Sequence, residues 1–313
     1  MSDSPASATP YEVLGIAPSA SLDEMRRAYR RRLRETHPDT GGSPARFHAV
    51  QAAWEVLGDP ASRSAYDRGA SASSAHTGSA RATGSSSWAA RAAAPSSASS
   101  LKARSYGHPG GQARERFLTL IREWAGRGSE LPDPYDAALV RSAPREIRWL
   151  LGKALAEEQT ARTLSDLGMG FTVWNDVATP TGHKIDHVAL GPAGLFAVMS
   201  EDWGESVHLH RGELAGDTIP DGELPIRDLV RSSRKLGRSL GVRFDGQVIV
   251  VPDGALVEAS SESIDRGRNA GTLVIARSRL SDVMRSGVSS GDARRQGDVF
   301  EVRTRLQQGV QLV

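Results

Sequence analysis

The tripeptide His37-Pro38-Asp39 carries two ionisable side chains and directly follows a strongly basic segment. No partner ligands flank His37, so the spacing does not indicate a metal site. The basic segment contains arginines that fall largely outside its apolar stripe, namely Arg26, Arg27, Arg30, Arg31 and Arg34. Such a face is either an ordinary solvated surface or a surface that attracts an acidic partner, in which case added salt weakens the association.

Two amphipathic helices must position this tripeptide. Apolar residues recur at helical spacing over residues 22–33, and Ser21 with Glu24 forms a capping box at the start of that helix. A second helix is predicted from Ser43, with Pro44 at its first position, and it ends before Pro60. A short segment between two such stripes favours an antiparallel helical hairpin.

The block Pro10–Gly69 resembles a J-domain, the module that stimulates ATP hydrolysis by DnaK-class chaperones. The resemblance rests on PYEVLGI, HPD, AAWEVLGDP and YDRG in the order and spacing of that family. It implies that Asp39 forms a charged hydrogen bond with a chaperone arginine, that Pro38 fixes the turn, and that His37 orients it. The basic helix would dock on the same partner, and the domain would perform no covalent chemistry itself.

Composition limits the remaining possibilities. The chain has 313 residues and no cysteine, so disulfides, thiol chemistry and cysteine zinc sites are excluded. No apolar run approaches the roughly 20 residues of a membrane span, and the first residues do not resemble a signal peptide. A net charge of +2 does not by itself indicate nucleic acid. We therefore expect a cytoplasmic protein without a membrane partner, and its arginine, alanine and glycine content suggests a bacterial source.

The second half of the chain has the pattern of an α/β domain. Helical patterns precede the strand-like runs FTVWNDV, KIDHVALG and LFAVMS, and a further helix precedes QVIVVP. This order predicts a mixed central sheet. The segments AEEQTARTL, KIDHVALGPAGLFAV, IRDLVRSSRKL and VIVVP resemble a nuclease-related domain over Ile147–Leu256, which implies the restriction-endonuclease-like fold.

That resemblance also implies a catalytic site with a helix carboxylate, a strand aspartate and a Glu-x-Lys on the next strand. In active members the carboxylates hold a divalent metal that activates water. Glu157 and Asp186 match the first two positions, whereas Met199 and Glu201 occupy the Glu-x-Lys positions. A thioether is a poor ligand for a hard cation. We therefore predict a degenerate site; the alternative is a rearranged site that also uses Asp202.

Hairpin geometry sharpens this prediction. A four-residue turn between the two strands would place Asp186 opposite Met199 and Lys184 opposite Glu201. Lys184 and Glu201 are then expected to form a cross-strand ion pair. Lys153 lies one helical turn from the helix carboxylate, so it could replace the missing lysine or form an ordinary surface ion pair.

A stripe of arginines follows the helix pattern LPIRDLVRSSRKLG at spacings of four, three and four residues. Its members are Arg227, Arg231, Arg234 and Arg238. Such a stripe either contacts phosphate groups or forms the solvated face of its helix, and the latter interpretation is favoured.

The predicted organisation is multidomain, with an all-α helical-hairpin J-domain, a disordered linker and an α/β mixed-sheet domain. The predicted segments are a disordered N-terminus (1–9), the J-domain (10–69), a disordered Ser/Ala/Gly-rich linker (70–112), a helical lead-in (113–146), the nuclease-related domain (147–285) and a C-terminal extension (286–313). The expected function is a co-chaperone of a DnaK-class chaperone with a pseudo-nuclease as targeting module and no cofactor. The alternative is a metal-dependent nuclease or nucleic-acid-binding protein regulated through the J-domain.

Overall fold

A computed structural model describes most of the chain, and the chain divides into two units. The described residues are 4–37, 43–67, 102–126, 131, 133–257, 261–264, 269–288 and 296–313. The first unit combines described residues of 1–93 with those of 121–148, and the second combines those of 94–120 with those of 149–313. Within the described residues, no helix has the length and apolar character needed to cross a bilayer.

The described residues of the predicted J-domain form four helices. They are α1 (Pro10–Leu14), α2 (Leu22–Glu35), α3 (Pro44–Leu57) and α4 (Pro60–Asp67). The predicted capping box of Ser21 and Glu24 is present at the start of α2, and Thr9 with Glu12 forms a second one at α1. Each box satisfies backbone N–H groups that lack a partner within the helix.

Apolar side chains from these helices form one core. Leu14 from α1, Met25 from α2 and Leu57 from α3 are fully buried. Trp54 stacks on Tyr29, with ring centroids 4.7 Å apart, and so joins α3 to α2. The periodicities read from the sequence therefore identify the faces that pack.

Three helices are described between residues 110 and 166. They are α5 (Gly111–Ala125), α6 (Ala137–Ser142) and α7 (Arg145–Ser165). The last four residues of the first unit open α7, and among them Arg148 is 1% exposed. Its guanidinium donates to both Glu12 carboxylate oxygens, at 2.6 and 2.7 Å, and to the carbonyl of Ser7 at 2.7 Å.

This contact corrects the predicted disorder of residues 1–9. The structure describes the chain from Ser4 onward, and Ala6 is buried at 1% exposure. The composition of the segment is polar, but its backbone carbonyls accept hydrogen bonds from a buried arginine about 140 positions later. Composition alone does not reveal such a partner.

The second unit contains a seven-stranded mixed sheet in the order β1-β2-β3-β4-β7-β9-β8. Its strands are β1 (Arg104–Tyr106), β2 (Thr172–Ala178), β3 (Lys184–Gly191), β4 (Gly194–Ser200), β7 (Gly246–Val251), β8 (Ser261–Ile264) and β9 (Thr272–Ala276), and β5 (His208–His210) and β6 (Glu213–Ala215) form a separate pair. Strands β2, β3 and β4 are antiparallel, whereas β4, β7 and β9 are parallel. The predicted mixed sheet is confirmed.

The structure places the start of the second unit before the predicted end of the linker at residue 112. Strand β1 pairs in parallel with β2, and the Asn175 side chain donates to the Tyr106 carbonyl at 2.8 Å. At Gly107, where φ is 82°, an added Cβ would lie 2.3 Å from the Asn175 carbonyl oxygen. Strand β1 is held by backbone pairing and by the close approach of Gly107 to Asn175, and neither needs apolar side chains. The prediction from composition therefore placed the end of the linker too late in the chain. Residues 70–101 of the predicted linker lie outside the described residues.

Three helices complete the second unit, and the last corrects the predicted C-terminal extension. They are α8 (Pro225–Leu240), α9 (Leu280–Ser286) and α10 (Gln296–Gly309). Val302 and Leu306 of α10 belong to the main core. The chain end then pairs with β2, since Ala178 N–H donates to the Gln311 carbonyl and Val313 N–H to that of Asp176. The described part of the predicted C-terminal extension is therefore largely helical.

Candidate functional site

The first candidate surface is the solvent-facing side of α2. The helix carries six arginines and three acidic residues, so its net charge is +3. The five arginines singled out from the sequence are all exposed, namely Arg26, Arg27, Arg30, Arg31 and Arg34. Some of them meet acids of the same helix, for example Arg26 with Asp23 at 3.5 Å, but exposed pairs of this kind contribute little energy. The face therefore remains strongly positive.

His37 lies just beyond the end of this basic helix. The helix ends at Glu35 with Thr36 as its C-cap, and the His37 ring meets the Phe47 ring edge-on with centroids 5.2 Å apart. The predicted partners Pro38 and Asp39 lie outside the described residues. The described part of the tripeptide is therefore attached to both helices of the hairpin.

The second candidate site is a buried cluster of lysines and carboxylates at one end of the sheet. Lys184 Nζ lies 2.6 Å from Glu157, 2.5 Å from Asp176 and 3.3 Å from Asp186. Glu157 comes from α7 and its carboxylate is fully buried, where it also accepts from the Gly110 backbone N–H at 3.1 Å. One ammonium group thus joins a helix and two strands.

Lys153 holds the other side of this cluster. Its ammonium lies 2.5 Å from Glu201, 3.3 Å from Asp186 and 3.4 Å from Glu157. The prediction that Lys184 pairs with Glu201 across the hairpin is therefore wrong, because Glu201 pairs with Lys153 and Lys184 turns toward the helix carboxylate. Of the alternatives for Lys153, the reach into the site is confirmed, since its side chain is only 13% exposed.

Burial and the mixed charges set the protonation of this cluster. Burial raises the pKa of Glu157 to about 8, and the adjacent Asp186 carboxylate adds to the effect. Burial also raises the pKa of Asp186, but Lys153 and Lys184 outweigh it and bring that pKa to about 2. Burial lowers the pKa of both lysines, yet the surrounding carboxylates hold them above their usual value. At neutral pH Asp186 and both lysines are charged, and Glu157 is largely protonated.

The donor set does not suit the divalent metal that the fold family implies. Both carboxylate oxygens of Asp186 contact an ammonium group, one from each lysine. A cation placed there would be repelled by both lysines across a few ångströms of low-dielectric interior. Met199 occupies the position on β4 where the second carboxylate is expected. It directly follows Val198, which pairs with His187 across the hairpin. The described residues contain no group of three His, Asp or Glu side chains able to hold a metal.

A neutral histidine supports the strand that carries Asp186. His187 is fully buried, and its two ring nitrogens lie 2.8 Å from the Asn175 amide oxygen and 3.2 Å from the Ser200 hydroxyl. Burial lowers its pKa to about 3, so the ring stays uncharged at neutral pH. The Ser200 backbone N–H donates to Asp186 at 2.8 Å. His187 therefore packs on the side of its strand opposite to Asp186.

The sequence reading missed Asp176, which the structure places against Lys184. It is 1% exposed, and its φ of 52° is unusual for a residue other than glycine. The available signal was an aspartate inside the apolar run FTVWNDV. The backbone conformation that aims it at Lys184 had no signature in the sequence.

The arginine stripe on α8 is exposed along its length. All four members are solvent-facing, namely Arg227, Arg231, Arg234 and Arg238. The opposite side of the helix, including Ile226, Leu229 and Leu236, is buried in the core. Exposure is compatible with a solvated face and with phosphate binding, so both interpretations stay predictions.

Comparisons with known proteins match both parts of the chain. Residues 9–67 match the DnaJ domain family, and residues 152–252 match the nuclease-related domain family. Among curated relatives, chaperone protein DnaJ of Tropheryma whipplei is 52% identical over 59 residues, which are 18% of this chain and 17% of that protein. Chaperone protein DnaJ 1 of Cutibacterium acnes is 48% identical over 61 residues, 19% of this chain and 16% of that protein.

A plant relative gives a similar coverage. Chaperone protein dnaJ A6 of Oryza sativa subsp. japonica is 48% identical over 58 residues, 18% of this chain and 14% of that protein. The chain thus spans only a small part of the length of these relatives. The chain therefore contains a DnaJ domain at residues 9–67 and a nuclease-related domain at residues 152–252.

Proposed function

We propose that this protein is a co-chaperone that stimulates a DnaK-class chaperone through its DnaJ domain. The observation that carries the proposal is the exposed arginine face of α2, with a helix charge of +3, leading directly to His37. A surface of this kind attracts an acidic partner and orients its approach. The relatives that align with this region are named as DnaJ chaperone proteins.

The test is single-turnover ATP hydrolysis by a bacterial DnaK, with and without the full chain, at two ionic strengths. Raising the ionic strength from about 0.15 to about 1 M shortens the Debye length from ~8 to ~3 Å. We expect stimulation that falls as salt is added, because the α2 face acts through charge. Absence of stimulation at either ionic strength contradicts the proposal.

The second unit, in this proposal, is a binding module that brings the chaperone to a client. The support is the pairing of Lys153 and Lys184 with the carboxylates that an active nuclease would use for a metal. Joining the two activities in one chain raises the effective concentration of client and chaperone at each other. The proposed location is the bacterial cytoplasm, where DnaK-class chaperones act.

A second candidate function is metal-dependent cleavage of nucleic acid. The observation in its favour is that Lys153 contacts both Asp186 and Glu201, an acid–lysine combination from which a rearranged site could be built. The discriminating experiment is incubation of plasmid DNA and RNA with Mg²⁺ or Mn²⁺. We expect no cleavage above the metal-only control.

Cleavage by the parent chain that is lost in Asp186→Ala and kept in Asp221→Ala would establish the nuclease instead. Asp221 is an exposed acid, so its substitution controls for the loss of one negative charge. Salt-sensitive binding without cleavage, weakened by neutralising Arg231 and Arg234, would indicate a nucleic-acid-binding module.

A further inference from the structure

A pocket of about 350 Å³ opens beside the lysine–carboxylate cluster of the second unit. Ligand pockets in proteins have volumes of about 300–1,000 Å³, so this one suits a small group or a single long side chain. Its walls combine aromatic, apolar and acidic residues. Those on which the argument depends are Trp149, Met199, Trp203, Glu223, Pro225 and Asp228.

The charge of the pocket is negative. Four carboxylates line it, from Asp186, Glu201, Glu223 and Asp228, against two lysines and no arginine. Each lysine already contacts three carboxylates, including Glu157 behind the pocket wall. The lysines therefore leave no net positive charge for an anionic ligand, and the acids of the rim, Glu223 and Asp228, add to the negative field.

Three buried polar atoms of the lining residues lack hydrogen-bond partners within the part of the chain that the structure describes. They are one carboxylate oxygen of Glu201, Oε2, and the indole nitrogens of Trp149 and Trp203. Glu201 and Trp203 are 7% and 3% exposed. Unsatisfied buried polar atoms are costly, so a cluster of them beside a cavity points to a ligand that supplies the missing partners.

We infer that this pocket binds an arginine side chain of the client polypeptide. A guanidinium carries five N–H donors, which match the free oxygen of Glu201 and the rim carboxylates. Its planar face stacks on indole rings, and its methylene stem packs on apolar walls such as Met199 and Pro225. Peptide carbonyls beside the arginine would accept from the indole N–H groups.

This inference rests on the proposed role of the second unit as a client-binding module. It also fits the charges better than two other ligand classes. A phosphate would meet four lining carboxylates, and a divalent metal would meet two ammonium groups already bound to its potential ligands. A guanidinium carries half the charge of a divalent metal, and the rim carboxylates of Glu223 and Asp228 can accept its N–H groups without displacing either lysine from Asp186.

The test is a titration of the full chain with the capped tripeptide Gly-Arg-Gly, without any chaperone present. Binding is followed through the indole N–H signals of the ¹⁵N-labelled protein, assigned by Trp→Phe variants at positions 149 and 203. The matched probe is the same tripeptide with citrulline, which keeps the shape and loses the charge. We expect saturable shifts of the Trp149 and Trp203 signals with the arginine peptide only.

Variants of the rim then locate the site. We expect Asp228→Asn to weaken binding by about tenfold, because a charge-assisted hydrogen bond is lost. Glu205→Gln, an exposed acid outside the pocket lining, should bind as the parent does. Equal binding of the citrulline peptide, no binding of either peptide, or unchanged affinity in Asp228→Asn overturns the inference. Because no chaperone takes part, such a result leaves stimulation of DnaK unaffected and the two proposals stay distinguishable.

Discussion

Lys153 and Lys184 decide the chemistry of the second unit's site, because each ammonium contacts three carboxylates. Removing one partner of a buried ion pair leaves an uncompensated charge and costs about 3–5 kcal/mol, so these contacts stabilise the end of the sheet. The same contacts direct both lysines toward the oxygens that a catalytic metal would need. At the residue scale, the two ammonium groups of the site are neutralised by the surrounding carboxylates.

The protonation of Glu157 predicts how stability depends on pH. Its folded-state pKa of about 8 lies above the unfolded value of 4.5, since burial and Asp186 favour the neutral acid. Its contribution to stability is therefore complete below about pH 4.5 and lost as the pH rises through about 8. We expect the free energy of unfolding to fall less between pH 5 and pH 9 in Glu157→Gln than in the parent.

Urea denaturation at the two pH values measures this difference. Glu115→Gln, an exposed glutamate on α5, is the control and should follow the parent. Burial also raises the pKa of Glu201, so part of the alkaline loss remains in the Glu157 variant. A Glu157→Gln variant that loses as much stability as the parent contradicts the proposed protonation.

Several residue-level predictions came directly from chain spacing. The strand register follows from a four-residue turn, and it pairs Gly191 with Gly194 and His187 with Val198. The reach of Lys153 follows from one turn of helix. The partners of the Lys184 side chain could not be predicted from chain spacing. They depend on how close α7 lies to β3 and on the left-handed backbone of Asp176.

At the scale of elements, the start of α7 is part of the fold of the DnaJ-containing unit. Arg148 is buried there and binds Glu12 of α1 together with the carbonyls of Pro5 and Ser7. Nearby, Arg141 donates to the Tyr66 carbonyl and lies over the Tyr66 ring at 5.0 Å. These contacts attach both ends of the DnaJ domain to helices that follow it in the chain.

Substitution of Arg148 tests this attachment. We expect Arg148→Met to destabilise α1 by about 1–3 kcal/mol, because buried carbonyls lose their donor while Glu12, 43% exposed, regains water. Amide hydrogen exchange over residues 9–37, followed by mass spectrometry, should show faster exchange. Arg145→Met, at an exposed position of the same helix, is the matched control. Unchanged exchange in Arg148→Met would mean that the DnaJ helices do not depend on this contact.

The helices and strands themselves were largely predictable, because their apolar periodicity is local. Ser21 and Glu24 marked the start of α2, and the apolar runs marked β3, β4 and β7. Strand β1 was not predictable, because its three residues are exposed and it is held by backbone pairing with β2. Helix α10 was ambiguous because only Val302 and Leu306 among its described side chains are buried.

At the scale of the whole molecule, neither unit is one continuous stretch of the chain. The chain enters the second unit at β1, contributes residues 121–148 to the first unit, and then returns to the second. A linear series of domains read from composition cannot show this exchange, because it depends on contacts between distant segments such as Arg148 and Glu12. The proposed co-chaperone role therefore concerns the full chain, and its tests use the full chain.

The most direct test of the central claim is single-turnover ATP hydrolysis by a bacterial DnaK in the presence of the parent chain, His37→Gln and His208→Gln. His208 is an exposed histidine of the second unit and serves as the control. We predict that the parent and His208→Gln stimulate hydrolysis equally, while His37→Gln, folded by circular dichroism, returns the rate to that of DnaK alone. No stimulation by the parent, or undiminished stimulation by His37→Gln, would contradict the account.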